Sequence, residues 1–362
     1  MFEVKNKLVE AGLLNSSQFQ NLISYNYTDQ CAFDKHWIPE TLESRGSIYD
    51  LNTGKIVARS FDKFFNLGEY DAKIENLPQL AFDVDEKMDG SLGILYQFPG
   101  ESQWRVATRG SFYSDQARQA EIILEQYQIE RWPEGWTPLV EIIYPSNRIV
   151  IDYGKESKLV LLAGRNIETG AYMDRGSLDM YANRMGMPRP KRYEGNLRDL
   201  IERAKGLPGD HEGWVLTYRN GYKVKIKGVR YLELAKFASH LSRLSIYEVM
   251  LKGPKSIQEF MVKMPEELLE AAQAIYNEFL TQLGTMLTLA EDRATVLQLR
   301  NPYPDKDFYK TKALLVAKEP KWMRSYLMEV MRKSKFPEKA LLRYLLPKAN
   351  RLVDLQEIFK NI

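Results

Sequence analysis

The sequence Asp85-Glu86-Lys87-Met88-Asp89-Gly90-Ser91 places one lysine among acidic residues, directly before a glycine-containing turn into an apolar stretch. On its own, this string is typical of a charged surface turn, because Asp, Gly and Ser favour turns. A lysine at the start of a strand can also serve as a nucleophile if it loses its proton. The residues that follow it along the chain decide between these two interpretations.

Further charged strings follow in order, each on or beside a predicted strand. They are Thr108-Arg109-Gly110-Ser111, Val140-Glu141-Ile142, Glu212-Gly213-Trp214 and Lys223-Val224-Lys225-Ile226-Lys227. Together with Lys87 they supply a nucleophile, two carboxylates and at least three cations, which nucleotidyl transfer from a metal-bound triphosphate requires. Glu141 is the most informative of them, because a carboxylate in an apolar strand is costly unless it is paired or binds a metal.

Paired apolar runs predict β-hairpins on both sides of Lys87. The predicted hairpins join residues 45–50 to 55–60 through Asn52-Thr53-Gly54, residues 91–97 to 103–108 through Pro99-Gly100, and residues 213–218 to 222–227 through Asn220-Gly221. Helices are predicted near residues 115–128, 175–186 and 196–205, and the apolar spacing of residues 1–24 also predicts a helix. These elements indicate an α+β domain with a mixed or antiparallel sheet.

The strand pattern ends after Lys227, and successive amphipathic helices follow it. Examples are residues 265–283 and 321–333, with breaks at Gly253-Pro254, at residues 301–304 and at Phe336-Pro337. We therefore predict two domains, residues 1–240 with the charged strings and residues 241–362 as an all-helical C-terminal domain.

Composition excludes several classes of protein. Of the 362 residues, 44% are hydrophobic and 27% charged, which is ordinary for a globular protein. A net charge of +3 does not by itself indicate nucleic-acid binding, but residues 306–351 contain thirteen Lys and Arg against four Asp and Glu. The only cysteine, Cys31, excludes an internal disulfide and a cysteine-based metal framework. Without a predicted signal peptide or transmembrane segment, we expect a cytoplasmic protein with no membrane partner.

In order and spacing, the Lys87 string and its followers resemble the motifs of the covalent nucleotidyltransferases, which include RNA and DNA ligases and mRNA capping enzymes. Within that superfamily, the sequence most resembles the RNA ligase 1 family of T-even phages. The additional matches are Ser24-Tyr25-Asn26, Glu43-Ser44-Arg45-Gly46, Asp62-Lys63-Phe64-Phe65-Asn66 and Pro145-Ser146-Asn147-Arg148-Ile149-Val150. The resemblance covers residues 24–231 and implies a nucleotidyltransferase fold for the first domain.

The resemblance implies an ATP-dependent RNA ligase of phage or bacterial type that acts in RNA repair. Lys87 would attack the α-phosphorus of ATP to give lysyl-AMP, the AMP would pass to an RNA 5′-phosphate, and a 3′-hydroxyl would then displace it. A lysine is almost wholly protonated at neutral pH and must first lose that proton. Nearby cations and a bound Mg²⁺ would favour this loss, whereas Asp85, Glu86 and Asp89 would oppose it. We therefore expect these three acids to face outward or toward metal.

The resemblance also implies which residues form the site. The expected catalytic residues are Lys87, Glu141, Glu212, Lys225 and Lys227, and the expected Mg²⁺ ligands are Glu141 and Glu212. The expected nucleotide contacts are these residues together with Tyr25, Arg45, Lys63, Phe65, Gly90 and Arg109. Arg109, which stands where the family usually has lysine, and Tyr231 would bind the RNA substrate.

Without the resemblance, the same residues have simpler interpretations. Arg45 and Lys63 are typical of surface cations, whereas Tyr25, Phe65 and Tyr231 are typical of packing aromatics. The alternating lysines of residues 223–227 are typical of the solvent face of an edge strand.

The basic run at residues 306–351 has two interpretations as well. It is interleaved with Phe308, Tyr309, Trp322, Tyr326 and Tyr344. These aromatics form either a packed core beneath a solvated basic face or part of an RNA-binding surface.

RNA with a 5′-phosphate and a 3′-hydroxyl is the expected partner by resemblance, with tRNA as one candidate. The sequence contains no P-loop, so a 5′-hydroxyl end would need a separate end-healing kinase or phosphatase. The alternatives are an RNA ligase that seals nicks in duplexes and a non-catalytic RNA-binding protein that retains the fold.

Overall fold

The computed structural model describes residues 2–240, 243–262, 264, 266–335 and 337–345. The chain divides into two compact units, Met1–Glu233 and Leu234–Ile362. Each unit has its own core, and the charged strings all belong to the first.

The described part of the first unit contains three sheets. Their strands are β1 (Leu14–Phe19), β2 (Leu22–Tyr27), β3 (Arg45–Asp50), β4 (Ile56–Ala58), β5 (Phe65–Asn66), β6 (Phe82–Glu86), β7 (Ser91–Gln97), β8 (Trp104–Thr108), β9 (Trp136–Ile143), β10 (Lys158–Asn166), β11 (Arg192–Tyr193), β12 (Gly213–Tyr218) and β13 (Lys223–Lys227). The strand orders are β1-β2-β3-β4, β10-β9-β7-β8 and β11-β6-β12-β13-β5. Strand β13 pairs in parallel with β5 and antiparallel with β12.

Helices accompany these sheets. They are α1 (Phe2–Glu10), α2 (Asp29–Phe33), α3 (Pro39–Glu43), α4 (Asp115–Leu124), α5 (Arg175–Met185), α6 (Leu197–Lys205) and α7 (Val229–His240). The predicted α+β class is confirmed.

The three predicted hairpins form, as β3–β4, β7–β8 and β12–β13. Asn220-Gly221 turns the last of them, with Gly221 at a φ of 85° that favours glycine. The predicted helix over residues 1–24 is wrong beyond Glu10, because residues 14–27 form a hairpin in which Leu14 pairs with Tyr27. The few apolar residues of this segment suited a helical period as well as a strand period.

Alternation along the third sheet separates a core face from a polar face. Val84, Trp214, Leu216, Val224 and Ile226 point to one side, where they pack with Leu200 and Ala204 of α6. Because successive strand side chains point to opposite faces, Asp85, Thr217 and the lysines of β13 lie on the other side. The predicted cations of β13 therefore lie on one face of the third sheet, on a strand with a neighbour on each side.

The second sheet lies opposite the polar face of the third sheet. Val140 and Ile142 of β9 pack in a core with residues of α4 and α5. Glu141 lies between them in sequence and therefore points to the opposite face.

The described part of the second unit is all-helical. Its helices are α8 (Arg243–Leu251), α9 (Pro254–Val262), α10 (Glu266–Val296), α11 (Lys306–Val316), α12 (Lys321–Met331) and α13 (Glu338–Leu345). Residues 266–283 of the segment predicted at 265–283 are the first part of the longer α10, which continues through Gly284 to Val296 before the next proline, Pro302. None of the helices within the described ranges is both long and apolar enough to cross a membrane.

Candidate active site

A cavity of about 480 Å³ lies between the polar faces of the second and third sheets. We call it the central cavity. Half of the predicted site residues line it: Arg45, Lys87, Gly90, Arg109, Glu141 and Lys225. Its size is within the range of small-molecule sites, which hold roughly 300–1,000 Å³.

Lys87 directly follows β6, and its backbone N–H donates to the Gly213 carbonyl at 2.9 Å. Its ammonium group donates to Glu212 Oε2 at 2.7 Å, although the side chain is still 21% exposed. The other carboxylate oxygen of Glu212 accepts from Lys227 Nζ at 2.9 Å. A buried carboxylate thus holds two of the predicted catalytic lysines together.

Asp89 is oriented differently from the prediction that it faces outward or toward metal. Its side chain is buried, and Oδ2 accepts from the backbone N–H groups of Val150 and Ile151, both at 2.9 Å. Oδ1 accepts from the Tyr231 hydroxyl at 2.8 Å. These three bonds attach the Lys87 loop to the segment after β9 and to α7, because a buried carboxylate must have its lone pairs satisfied.

The other acids of the string are also partly buried. Asp85 accepts a hydrogen bond from Arg175, and it lines the central cavity together with Glu86. Asp85 therefore does not face outward. The ion pair with Arg175 compensates its charge in the cavity wall.

Gly90 is required by close packing in the loop. A Cβ atom at this position would lie 2.6 Å from the Ile142 carbonyl oxygen and 3.1 Å from Glu141 Cγ. The Gly90 N–H donates to Glu141 Oε1 at 2.9 Å. The Lys87 string is therefore held directly against the predicted metal ligand, which explains why the turn contains glycine.

The two predicted metal ligands influence each other electrostatically. Burial raises the pKa of Glu141 to about 7; the charge of Lys87 opposes this shift, and the charge of Glu212 adds to it. A divalent cation near this carboxylate would offset both the burial and the repulsion. The donor set fits Mg²⁺, which binds through one or two carboxylates and takes its other oxygens from phosphates and water. Within the described ranges, no three His, Cys, Asp or Glu side chains form a metal-binding group.

Cations gather beside this carboxylate pair. Burial lowers the pKa of Lys225 to about 6, and the charges of Arg45, Lys63 and Lys87 lower it further in that order. Burial also lowers the pKa of Arg45, whose Nη1 is buried without a hydrogen-bond partner among the residues that the structure describes. A buried donor without a partner is costly, so this cluster fits an anionic ligand.

Tyr27, which the sequence reasoning missed, connects three of these cations. Arg109 Nη1 donates to its hydroxyl at 3.2 Å, and Lys63 Nζ lies 5.2 Å from the centre of its ring. Burial raises the pKa of Tyr27, but the charges of Arg45, Lys63 and Arg109 together lower it below its ordinary value. The only sequence signal for it is its position two residues after Tyr25.

Lys63 and Phe65 belong to this cluster but do not line the central cavity. Lys63 Nζ lies 5.3 Å from the ring centre of Trp37 and 5.1 Å from that of Phe65. Phe65 also packs edge-on against Trp37, with ring centroids 5.5 Å apart. Phe65 therefore contacts Lys63 but does not line the central cavity.

Tyr25 and Tyr231 are not brought to the central cavity. Tyr25 is buried beside Tyr49, and its hydroxyl donates to Asn6 Oδ1 at 2.9 Å. Tyr231 is buried with its hydroxyl on Asp89. Both aromatic rings are packed in the protein interior, and the expected nucleotide contact of Tyr25 and RNA contact of Tyr231 stay predictions.

The lysines of β13 do not form an edge-strand face. Strand β13 lies between β12 and β5, and Lys223 and Lys225 line the central cavity. Lys223 was not among the expected site residues. Its alternation with Lys225 in the sequence could have placed it on the same face, because alternate residues of a strand point to one side.

Residues 43–231 match the sequence model of the RNA ligase family related to the T4 phage enzyme. The chain belongs to this RNA ligase family. A protein of Thermovibrio ammonificans that carries the provisional name RNA ligase is 32% identical over 200 residues, which are 52% of this chain and 50% of that protein. RNA ligase 1 of bacteriophage TS2126 is 30% identical over 239 residues, or 60% of this chain and 56% of the phage protein.

A third relative is longer than this chain. It is a protein of Autographa californica nuclear polyhedrosis virus with the provisional name bifunctional polynucleotide kinase/RNA ligase, 32% identical over 225 residues. The match covers 55% of this chain and 31% of the viral protein. The chain thus spans about half the length of the first two relatives and a third of the viral one.

Proposed function

We propose that the chain is an ATP-dependent RNA ligase that joins RNA 5′-phosphate and 3′-hydroxyl ends through lysyl-AMP and AMP-capped RNA, in RNA repair. Membership of the RNA ligase family supports the reaction class. The observation that carries the proposal is the placement of Lys87 Nζ at a cavity whose walls combine a carboxylate with Arg45, Arg109 and Lys225. ATP as the nucleotide follows from the resemblance to the phage family.

In the first step, the Lys87 nitrogen attacks the α-phosphorus, an N–P bond forms, and the bond to the β-phosphate oxygen breaks to release pyrophosphate. The ammonium must lose a proton before this attack, and Glu212 Oε2 is the acceptor placed at 2.7 Å. An amine paired with a carboxylate is held in its charged form, so nucleotide binding has to open this pair. Lys227, on the other oxygen, would keep Glu212 in position during that change.

The cations have the complementary role of neutralising the phosphates. Arg45 Nη1 has no hydrogen-bond partner within the described ranges, and burial together with neighbouring cations lowers the pKa of Lys225, which a bound anion would oppose. Arg109 keeps the positive charge that the family usually supplies with lysine, and its planar guanidinium favours bidentate contacts to phosphate oxygens. Nucleotidyl transfer depends on this positioning and charge compensation more than on proton shuttling.

Glu141 would hold Mg²⁺, and Glu212 would join it after nucleotide binding has separated its carboxylate from Lys87. When bound, the ion supplies charge compensation for the phosphates and for the leaving pyrophosphate. Gly90 would orient Glu141 for this purpose through its N–H donor.

The proposal assigns adenylyl transfer to residues 1–240 and RNA binding to residues 241–362. Exposed basic side chains of α11 and α12 support the second assignment, among them Lys310, Lys321 and Arg324. Most of the interleaved aromatics pack inward; Tyr326, for example, is buried with its hydroxyl on Glu291. Tyr309 is 40% exposed and remains available for base stacking. Residues 346–351 of the basic run lie outside the described part of the chain.

The proposed partner is an RNA that carries the two ends, with tRNA as the candidate suggested by the resemblance. The relative named as both kinase and ligase supports healing of 5′-hydroxyl ends before ligation, and a kinase or phosphatase separate from this chain is part of the proposal. A cytoplasmic site of action is part of the proposal and is supported by the single, buried and unpaired Cys31.

The test compares wild type with Lys87→Ala in two assays. Wild type should form an acid-labile, alkali-stable adduct with labelled ATP and Mg²⁺ and should join broken stem-loop RNA better than a nicked duplex. Lys87→Ala should lose the adduct but still join chemically pre-adenylylated RNA. Equal loss of both activities in a folded variant, or no adduct in wild type, would contradict the proposal. GTP in parallel tests the choice of base.

A further inference from the structure

Lys223 occupies the end of the central cavity remote from Lys87. It is the first of the three lysines on the cavity face of β13, and the last, Lys227, is paired with Glu212 beside Lys87. Side chains on one face of a strand are spaced by about 7 Å, so Lys223 lies about 13 Å along the strand from Lys227. It is therefore too far along the strand to share the reaction centre of Lys87.

Two aromatic rings lie beside Lys223. Its Nζ lies 4.4 Å from the ring centre of Tyr172 and 5.7 Å from that of Phe61, which also lines the cavity. The charges that act on Lys225 are instead those of Arg45, Lys63 and Lys87. The cavity thus has a cationic end at Lys225, suited to phosphates, and an end at Lys223 where aromatic rings suit a planar base.

Lys223 has no carboxylate partner that would explain a buried cation. Its Nζ donates to Thr217 Oγ1 at 2.7 Å, and the described residues provide it with no ion pair. Burial lowers the pKa of Lys223 to about 7; the charge of Asp85 opposes the shift, and those of Arg165, Arg189 and Arg175 increase it. Asp85 itself is bound by Arg175. Such a lysine is unfavourable for folding, which favours a role in ligand binding.

We propose that Lys223, oriented by Thr217, donates a hydrogen bond to the edge of the nucleotide base and is a specificity-determining residue of this cavity. The inference rests on the proposed function, because it requires that a nucleoside triphosphate places its phosphates at the cationic end. Lys87 then meets the α-phosphate at the cationic end. Thr217 uses its hydroxyl oxygen as acceptor and leaves the remaining N–H groups of Lys223 for the base.

The contact contributes to affinity for the base and not to the reaction at phosphorus. Its loss should therefore raise KM for ATP while kcat for adduct formation changes little. A substrate without a base should not respond to the loss, since it offers nothing for Lys223 to contact. A purely structural role predicts a different pattern, in which the melting temperature falls and both substrates are affected alike.

The experiment measures adduct formation at Lys87 with ATP and with ribose 5-triphosphate, which lacks the base. Lys223→Met should raise KM for ATP at least tenfold, leave kcat within about threefold, and leave KM for ribose 5-triphosphate unchanged. The nucleotide-free variant should melt at the same or a higher temperature than wild type, because a buried amine is replaced by an apolar side chain. The matched control is Lys205→Met on the exposed surface of α6, which should leave every value unchanged.

Thr217→Val is the second variant, because it keeps the volume and removes the acceptor of Lys223 Nζ. It should raise KM for ATP in the same direction by a smaller factor. An unchanged KM for ATP in folded Lys223→Met, or equal changes with both substrates, would overturn the inference while wild-type adduct formation still upholds the proposed function. Absence of an adduct in wild type with any triphosphate would instead overturn the proposed function itself.

Discussion

The packing at Gly90 allows a quantitative prediction. In Gly90→Ala, the new Cβ would lie 2.6 Å from the Ile142 carbonyl oxygen, where ordinary contact begins at 3.4 Å. The loop or β9 would therefore have to move by roughly 0.8 Å to relieve the clash. A displacement of about 1 Å in a catalytic group can lower a rate by roughly 100-fold. We expect the single-turnover rate of Lys87 adenylylation to fall by about that factor, because Lys87 and Glu141 are both attached to this loop.

The assay is adduct formation at saturating ATP and Mg²⁺, with the free energy of unfolding measured in parallel. Overpacking of this kind typically costs about 1–3 kcal/mol, so the variant should still fold. The control is Gly206→Ala, where a Cβ atom meets nothing within 4 Å. A folded Gly90→Ala protein that reacts within about threefold of wild type would refute the argument that this loop is held in place by close packing.

Three further predictions concern the carboxylate, the cation cluster and the helical unit. Burial raises the folded-state pKa of Glu141 to about 7, so between about pH 5 and 7 the folded protein binds a proton that the unfolded chain does not. Wild type should therefore lose stability relative to Glu141→Gln as pH rises through this window. If the melting temperatures of the two proteins change in parallel with pH, this prediction is wrong. Tyr27→Phe removes the acceptor of Arg109 and should raise KM for ATP by roughly tenfold, since a bond to a charged group contributes about 1.5–3 kcal/mol; a change below twofold would show that the hydroxyl does not organise the cations. Replacement of Arg324 and Arg332 by Gln should raise KM for RNA several-fold and leave adduct formation with ATP unchanged, whereas a loss of adduct formation would argue against the division of labour between the two units.

Local sequence signals predicted much of the first unit. The Asn220-Gly221 turn and the alternation of Lys223, Lys225 and Lys227 are short-range features, so the hairpin and the shared face of these lysines could be predicted. The neighbour that makes β13 an interior strand is β5, which pairs with it in parallel from residues 65–66. Pairing over such a sequence distance leaves no local signal, which is why the solvent-exposed edge remained an alternative.

Side-chain orientation within the predicted motifs could not be predicted. Asp89 and Tyr231 are 142 residues apart, and only the folded structure shows that each satisfies the other in the interior. Tyr25 and Tyr27 are two residues apart in β2 and pack in one core cluster, yet the Tyr25 hydroxyl donates to Asn6 whereas the Tyr27 hydroxyl accepts from Arg109. The sequence spacing of the two tyrosines does not distinguish these partners.

Lys87 Nζ is the atom that we propose accepts AMP. Peptide mapping by mass spectrometry, after incubation of the wild-type chain with ATP and Mg²⁺, tests this assignment. We expect AMP on Lys87, lost in Lys87→Arg and released when pyrophosphate is added. AMP on another lysine while Lys87 stays unmodified, or no modified peptide from active protein, would contradict it.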